Sequence, residues 1–435
     1  MNKTMIKMSN SILKNKKINN ILANKVLTNN IVNEGNSKQK LEIYIHIPFC
    51  VKKCNYCDFI SEVAVSEVKV KYMEYLLKEI DIVFIDIADK YEISSVFIGG
   101  GTPSILAGED IKKIISKLQK IFLFSYNAEI SIECNPETVS YEKLLMYKEA
   151  GINRISFGLQ SANNEELKLL GRIHNYEKFV ENYNLVRSVG FENINIDLMS
   201  ALPFQTIESF IKTLEKVIKL NPEHISVYSL IIEEGTPFYS IYKDSENIPS
   251  EDEDREMYHI TKEIMEKNGY NRYEISNYAK EGFECRHNIG YWTGINYRGL
   301  GLSASSYIEG MRFSNPRNML DYIKYIDNLY MDKKDISVNG KLKNNAKSTI
   351  YTGLETEKLS ISALYEEFMF LGLRLIKGIS EKEFEDRFNI KIDSIYYKEI
   401  KENVENGLLI RENGYIRLSE KGIDLSNQVM MRFLL

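Results

Sequence analysis

The chain has 435 residues, 44% of them apolar and 27% charged, with a formal net charge of -5. At roughly 150 residues per domain this length fits two or three domains, and the negative net charge gives no reason to expect the clustered basic face of a nucleic-acid binder. Five cysteines, three of them crowded together, argue against a disulfide framework and for a reducing cytosol, and no run reaches the roughly 18 apolar residues of a membrane-spanning helix.

Residues 1–40 hold ten Asn, eight Lys, one acid (Glu34) and no Arg. They read as a disordered leader. The alternative is a transit peptide, although such segments are typically rich in Arg and Ser.

From residue 41, short β-branched runs alternate with longer amphipathic stretches. Strands are predicted at 42–47, 94–98, 128–133, 153–157, 193–198 and 224–230. Helices are predicted over 66–87, 109–121, 141–150, 176–189 and 206–219, where apolar residues recur at three- and four-residue spacing. Such alternation implies parallel βαβ units, and six of them suit an open or partial barrel over 41–268 better than a closed eight-stranded one. The interval 269–345, which contains CRHNIGYW, is less regular and is expected to connect domains. Residues 346–435 read as three helices, a hairpin around Glu412–Gly414 and a last helix, the order of a winged-helix-like module. Its acids and bases are interleaved, so the order implies packing or partner contact and not DNA binding.

Directly after the first predicted strand comes FCVKKCNYCDF, which spaces Cys50, Cys54 and Cys57 as C-x-x-x-C-x-x-C. Thiolates suit zinc, copper(I) or iron–sulfur clusters. Structural zinc takes four protein ligands, yet the remaining cysteines, Cys134 and Cys285, are solitary. A 4Fe–4S cluster usually takes four thiolates as well. With three, one iron keeps an open position where something reactive can bind. A zinc site or a redox dithiol is the competing reading.

In parallel α/β folds the chemistry gathers at the carboxyl ends of the strands. The second predicted strand ends in IGGGTPS (98–104), whose glycines let the backbone approach a ligand. It is not a dinucleotide fingerprint, because Ser104 stands where G-x-G-x-x-G requires glycine. The third strand ends at Glu133, and the fourth at Gln160, with Arg172 and His174 soon after. The fifth ends at Asp197 and the sixth at Tyr228 and Ser229. Each alone reads better as structural. Their succession points to one site.

The strings YIHIPFCVKKCNYCDF, GGGTPSIL, ECNPET, NRISFGLQS, LGRIHN, IDLMSALP, EISNYA and CRHNIGYW resemble the radical S-adenosylmethionine (SAM) superfamily. Within it they are similar to the oxygen-independent coproporphyrinogen III oxidase-like family and its HemW-type heme chaperones, over about residues 41–430. The resemblance implies an α/β radical SAM (β/α)6 partial barrel followed by a small helical winged-helix-like C-terminal domain. It implies a 4Fe–4S cluster on Cys50, Cys54 and Cys57, with SAM on the open iron. The SAM contacts it implies are Tyr44, Tyr56, Gly100, Gly101 and Thr102, then Glu133, Gln160, Arg172, Asp197 and Ser229. Tyr56 would pack by the adenine or anchor the loop.

HNIGYW matches the chaperones' H-N-x-x-Y-W signature and implies heme contact at His287, Tyr291 and Trp292, with Cys285 as a further ligand or an inert thiol. The family's dehydrogenases decarboxylate coproporphyrinogen III with a 5′-deoxyadenosyl radical, and their loop adds a cysteine two positions after the third. Phe59 stands there in this chain, which counts against that activity. Expected partners are heme, recipient hemoproteins of respiration and an electron donor such as flavodoxin or ferredoxin, with no nucleic acid. The expected location is the cytoplasm, with peripheral membrane contact during delivery.

Overall fold

In β1 (Gln39–Ile47) two kinds of residue alternate. Leu41, Ile43, Ile45 and Ile47 enter the main hydrophobic core, so Glu42, Tyr44 and His46 face the opposite side of the strand. The computed structural model describes residues 38–84, 87–338 and 352–435; the expected leader otherwise lies outside the described residues. A two-residue period also runs through β2 (Tyr91–Gly100), where a register shift between Ile93 and Ser95 resets it, and through the inner parts of β3 (Leu123–Cys134), β4 (Arg154–Gln160), β5 (Ile194–Ser200) and β6 (His224–Ser229). Their apolar set, Ile132, Ile155, Phe157, Ile196 and Ile225 among it, packs into the core. Their polar set, Glu133, Arg154, Ser156, Asn195, Asp197 and Ser226, lines interior cavities. Parallel strands covered by helices usually read as continuous apolar runs. A polar inner face is the exception, and it builds a ligand-lined interior.

β2 to β6 pair in parallel, each with the next in sequence. The connections carry α1 (Ser66–Val83), α2 (Gly108–Ile121), α3 (Tyr141–Ala150), α4 (Asn164–Leu169), α5 (Tyr176–Val189) and α6 (Ile207–Lys219). Local signals set these bounds. Ser140 Oγ caps α3 by accepting from Lys143 N, and Gly151 ends it at φ 95°, a left-handed position that glycine takes without steric cost. After β6 come α7 (Pro237–Tyr242) and α8 (Glu251–Lys267); Ser250 and Glu253 form a capping box on α8.

The sheet then grows at both edges. β7 (Asn271–Arg272) pairs antiparallel with β8 (Asn277–Ala279), and β8 pairs antiparallel with β6. After α9 (Arg286–Thr293), β9 (Asn296–Leu300) returns to pair in parallel with β1. β10 (Ser305–Ile308) and β11 (Met311–Ser314), then α10 (Met319–Val338) and β12 (Thr356–Lys358), complete this half. The result, among the described residues, is one sheet of 12 strands in the order β12-β11-β10-β9-β1-β2-β3-β4-β5-β6-β8-β7. The added strands have two to five residues each, too few to show a period in the sequence. The interval 269–345 therefore supplies sheet as well as connection.

The rest is α11 (Ile361–Gly372), β13 (Ile379–Ser380), α12 (Glu381–Phe388), α13 (Asp393–Glu405), β14 (Leu409–Glu412), β15 (Tyr415–Leu418), α14 (Glu420–Asp424) and α15 (Ser426–Met431). Asn413 and Gly414 turn the β14–β15 hairpin with φ of 52° and 77°, the two positive values of a type I′ turn. This winged-helix-like part has its own core around Met369, Phe384, Tyr396, Ile416 and Phe433. Ile376 N donates to Tyr273 O at 3.0 Å and joins it to the barrel.

Candidate functional site

The cysteine loop leaves β1 and is held from several sides. Cys50 N donates to Glu62 O at 2.9 Å, Asn55 N to Leu170 O at 3.0 Å, and Phe238 N to Asn55 O at 3.0 Å. The glycine turn after β2 closes on the loop: Gly101 N donates to Ile47 O and Thr102 N to Phe49 O, both at 2.8 Å. Thr102 Oγ1 lies 3.6 Å from Cys50 Sγ. A Cβ on Gly101 would stand 2.7 Å from Phe49 O and 3.0 Å from Cys50 Sγ, so this crossing has room only for glycine. Gly100 N donates to Glu133 Oε2 at 3.1 Å.

The three cysteines open into a cavity of about 370 Å³ that Tyr56, Gly100, Gly101, Thr102, Glu133, Gln160, Arg172 and Asp197 also line. Burial pushes the Glu133 carboxyl up to about 8, and neighbouring Asp197 adds to the effect. Gln160 is reached through a register shift between Gly158 and Gln160 and has φ 74°. A bulge of this kind re-aims a strand-end side chain. Arg172 donates from Nη1 to Cys54 Sγ at 3.5 Å and from Nη2 to Gly158 O. Tyr56 packs on Phe238 with ring centroids 6.4 Å apart, so it anchors the loop as well as lining the cavity.

Two expected SAM residues lie elsewhere. Ser229 Oγ donates to Asp254 Oδ1 at 2.6 Å and does not line the cavity. Tyr44 belongs to a second chamber of about 210 Å³, walled also by Arg154, Ser156, Asn195, His287 and Tyr291, which shares Glu133, Asp197 and Tyr228 with the first cavity. His46 Nε2 meets the carbonyl of Ile60 at 2.8 Å. A carbonyl can only accept, so the proton is on Nε2 and Tyr44 donates its hydroxyl to Nδ1 at 3.0 Å.

Around α9 the expected heme residues separate. His287 is 1% exposed. Its Nδ1 is 2.7 Å from Ser95 Oγ, its Nε2 is 3.1 Å from Tyr291 OH, and its ring stacks on Phe97 at 5.2 Å. Burial lowers it to about 3, so the imidazole is neutral. Cys285 is fully buried and donates from Sγ to Glu129 Oε1 at 3.3 Å. Trp292 faces a different space, a cleft of about 340 Å³ between α9 and the C-terminal part, lined also by Tyr297, Arg312, Phe368, Leu371, Leu375 and Arg387. Arg374 lies 4.4 Å above the Trp292 ring. Tyr291 lines both the chamber and the cleft. It is the wall between them.

Residues 44–217 match the radical SAM superfamily, and residues 359–425 match the HemN C-terminal domain. The chain is 35% identical over 393 residues to the heme chaperone HemW of Bacillus subtilis (strain 168), covering 90% of this chain and 98% of that one. To the heme chaperone HemW of Lactococcus lactis subsp. lactis (strain IL1403) it is 34% identical over 393 residues, covering 90% and 97%. The chain belongs to the HemW heme chaperone family. The solved structure of coproporphyrinogen III oxidase (HemN) from Escherichia coli, a radical SAM enzyme by its description, shares the fold. The TM-score is 0.75 at 25% identity, over 91% of this chain and 90% of that one.

A HemW-family barrel carries a 4Fe–4S cluster and SAM, and the residues present fit both. Three thiols open on one cavity, and the Gly101 crossing beside Cys50 leaves backbone uncovered where a side chain would fill the space. Burial pushes the Cys57 thiol up, so metal must draw the proton off for it to ligate. Among the described residues no three His, Cys, Asp or Glu groups converge on a single ion. That does not oppose a cluster, whose three thiolates sit on three separate irons.

Strand-end reasoning missed Lys52, Lys53, Asn135 and Met199 in the cofactor cavity, and Arg154, Asn195 and Ser226 in the second chamber. The signal for the last three was available: each sits one step out of phase with an apolar neighbour in its strand.

Proposed function

We propose that this chain binds heme and passes it to hemoproteins, with the cluster and SAM held in the barrel, and that it does not turn over coproporphyrinogen III. The observation that carries this is the 35% identity to a named heme chaperone over 90% of the chain. Phe59, exposed beside the cysteine cavity where the dehydrogenases keep a further cysteine, supports it.

When bound, the cluster and SAM supply one-electron chemistry to the barrel. Cys50, Cys54 and Cys57 hold the metal, while Gly100, Gly101, Thr102 and Glu133 offer backbone and a carboxyl to the SAM amino group. Gln160, Arg172 and Asp197 border the rest of the cofactor. The heme ring lies against Tyr291 and Trp292 in the cleft, where an aromatic wall suits a flat apolar macrocycle. His287 stays on the chamber side of Tyr291 and would reach heme iron only by giving up its bonds to Ser95 and Tyr291. An electron donor of flavodoxin or ferredoxin type meets the cavity at its mouth, beside exposed Lys52 and Lys53. Delivery at a membrane would be peripheral, since among the described residues no helix is long and apolar enough to cross one.

The test is an anaerobic heme titration of the reconstituted full chain, followed by a coproporphyrinogen III assay on the same sample. Stoichiometric heme binding with no protoporphyrinogen is the expected result. Turnover would establish the dehydrogenase reading instead.

A further inference from the structure

The barrel interior carries a charge that neither the cluster, nor the SAM contacts, nor the heme cleft uses. Arg154 begins β4 and is 2% exposed, among the largest fully buried side chains of the protein. Its guanidinium forms no hydrogen bond or ion pair with any described residue, and its Nε is enclosed without a partner. Burial opposes its charged form while the neighbouring Cys285, Glu129, Tyr273 and Asp197 favour it through space, yet a buried donor without a hydrogen bond remains unsatisfied.

The acids around it are committed to other groups. Asp197 takes Asn195 Nδ2 at 2.8 Å and Ser156 Oγ at 3.2 Å. Glu129 takes Ser131 Oγ, Cys285 Sγ and Arg286 N. Glu133 is held neutral by burial. The guanidinium lines the chamber of about 210 Å³ of which three walls, Glu133, Asp197 and Tyr228, are also walls of the cofactor cavity. Along β4 the inward positions run from Arg154 and Ser156 in the chamber to Gly158 and Gln160 in the cofactor cavity.

We propose that Arg154 is the anchor of a carboxylate-binding subsite: a carboxylate entering from the cofactor cavity past Glu133 and Asp197 is taken by the guanidinium fork. The fork matches a carboxylate through two parallel N–H···O bonds, and the resulting pair gives the guanidinium the direct hydrogen bonds it lacks. The chamber is smaller than the roughly 300–1,000 Å³ of sites that enclose a whole drug-sized ligand. It therefore admits a short acid or one acid arm, and not a tetrapyrrole ring. The carboxylate has two sources, a free short-chain acid or the propionate arm of a porphyrin whose ring stays outside the chamber.

The test uses the reconstituted full chain and two probes, propionate and coproporphyrin III, titrated calorimetrically into wild type, Arg154→Gln and Ser156→Leu. Propionate is expected to bind wild type and to lose at least tenfold in affinity in Arg154→Gln, with iron content and SAM affinity unchanged. Ser156→Leu keeps the charge and fills the chamber, so it should show the same loss; it decides the matter if Arg154→Gln does not fold. A parallel loss for coproporphyrin III assigns the carboxylate to a porphyrin arm, and a loss for propionate alone assigns it to a free acid. Equal affinities of both probes in wild type and the variants would overturn the subsite. So would a fall in SAM affinity without any change in carboxylate binding, which would make Arg154 part of the cofactor cavity.

Discussion

Gly101→Ala would push a methyl group into the crossing between the glycine turn and the cysteine loop. The new Cβ would lie 2.7 Å from Phe49 O, whereas carbon–oxygen contacts settle near 3.3 Å, so one strand of the crossing must retreat by about 0.6 Å. Gly101 N–Ile47 O and Thr102 N–Phe49 O, both 2.8 Å, would then stretch past the roughly 3.2 Å limit of a good bond. Two such bonds contribute roughly 1–3 kcal/mol together, and overpacking of this kind costs a similar roughly 1–3 kcal/mol. Because the same Cβ stands 3.0 Å from Cys50 Sγ, the displacement falls on a metal ligand. The assay is iron and acid-labile sulfide per chain after anaerobic reconstitution, beside thermal unfolding of the metal-free protein. Cluster content should fall by more than half and Tm should drop. Wild-type iron content together with a wild-type Tm would refute the reasoning.

Cys50→Ala, Cys54→Ala and Cys57→Ala should each abolish the cluster's visible absorption, because each removes one of three thiolates; normal iron in any of them would contradict the ligand set. Glu42→Gln tests the interior acid that burial raises to about 9. A carboxyl whose folded value is raised contributes stability below its unfolded value near 4.5 and loses it as pH rises toward 9, by up to about 1.4 kcal/mol per pH unit. The amide cannot ionise, so thermal scans should show Glu42→Gln gaining on wild type from pH 5 to pH 9; a constant difference would contradict this. Trp292→Ala should weaken heme binding roughly 3- to 10-fold, the worth of about 0.5–1.5 kcal/mol of ring contact, without changing iron content. His287→Ala should leave heme affinity unchanged, because Tyr291 stands between the imidazole and the cleft; a weakened affinity would put the histidine on the iron.

The barrel was legible because its six long strands carry β-branched runs between amphipathic helices. The observed spans, such as Tyr141–Ala150 and Tyr176–Val189, follow caps and glycines that the sequence displays. The spacing of Cys50, Cys54 and Cys57 pointed to a shared site, and the structure opens all three onto one cavity; the choice of a cluster over zinc rested on the family resemblance. What escaped were features without local signature. The strands between Asn271 and Lys358 are too short to show a period, and only pairing to distant partners such as β1 makes them strands. The polar interior escaped for another reason: attention went to strand ends, while Glu42, Glu129, Arg154 and Asn195 lie mid-strand or at strand starts. Adjacent motif letters also misled. His287 and Trp292 share one signature, yet a helix turns them onto different faces, one into the barrel and one into the cleft.

Heme transfer is the most direct test of the central claim. Heme-loaded full-length chain, mixed with a heme-free b-type cytochrome, should lose its Soret spectrum as the acceptor gains one heme per chain. Heme that stays bound while the same protein converts coproporphyrinogen III to protoporphyrinogen would contradict a chaperone and establish a dehydrogenase.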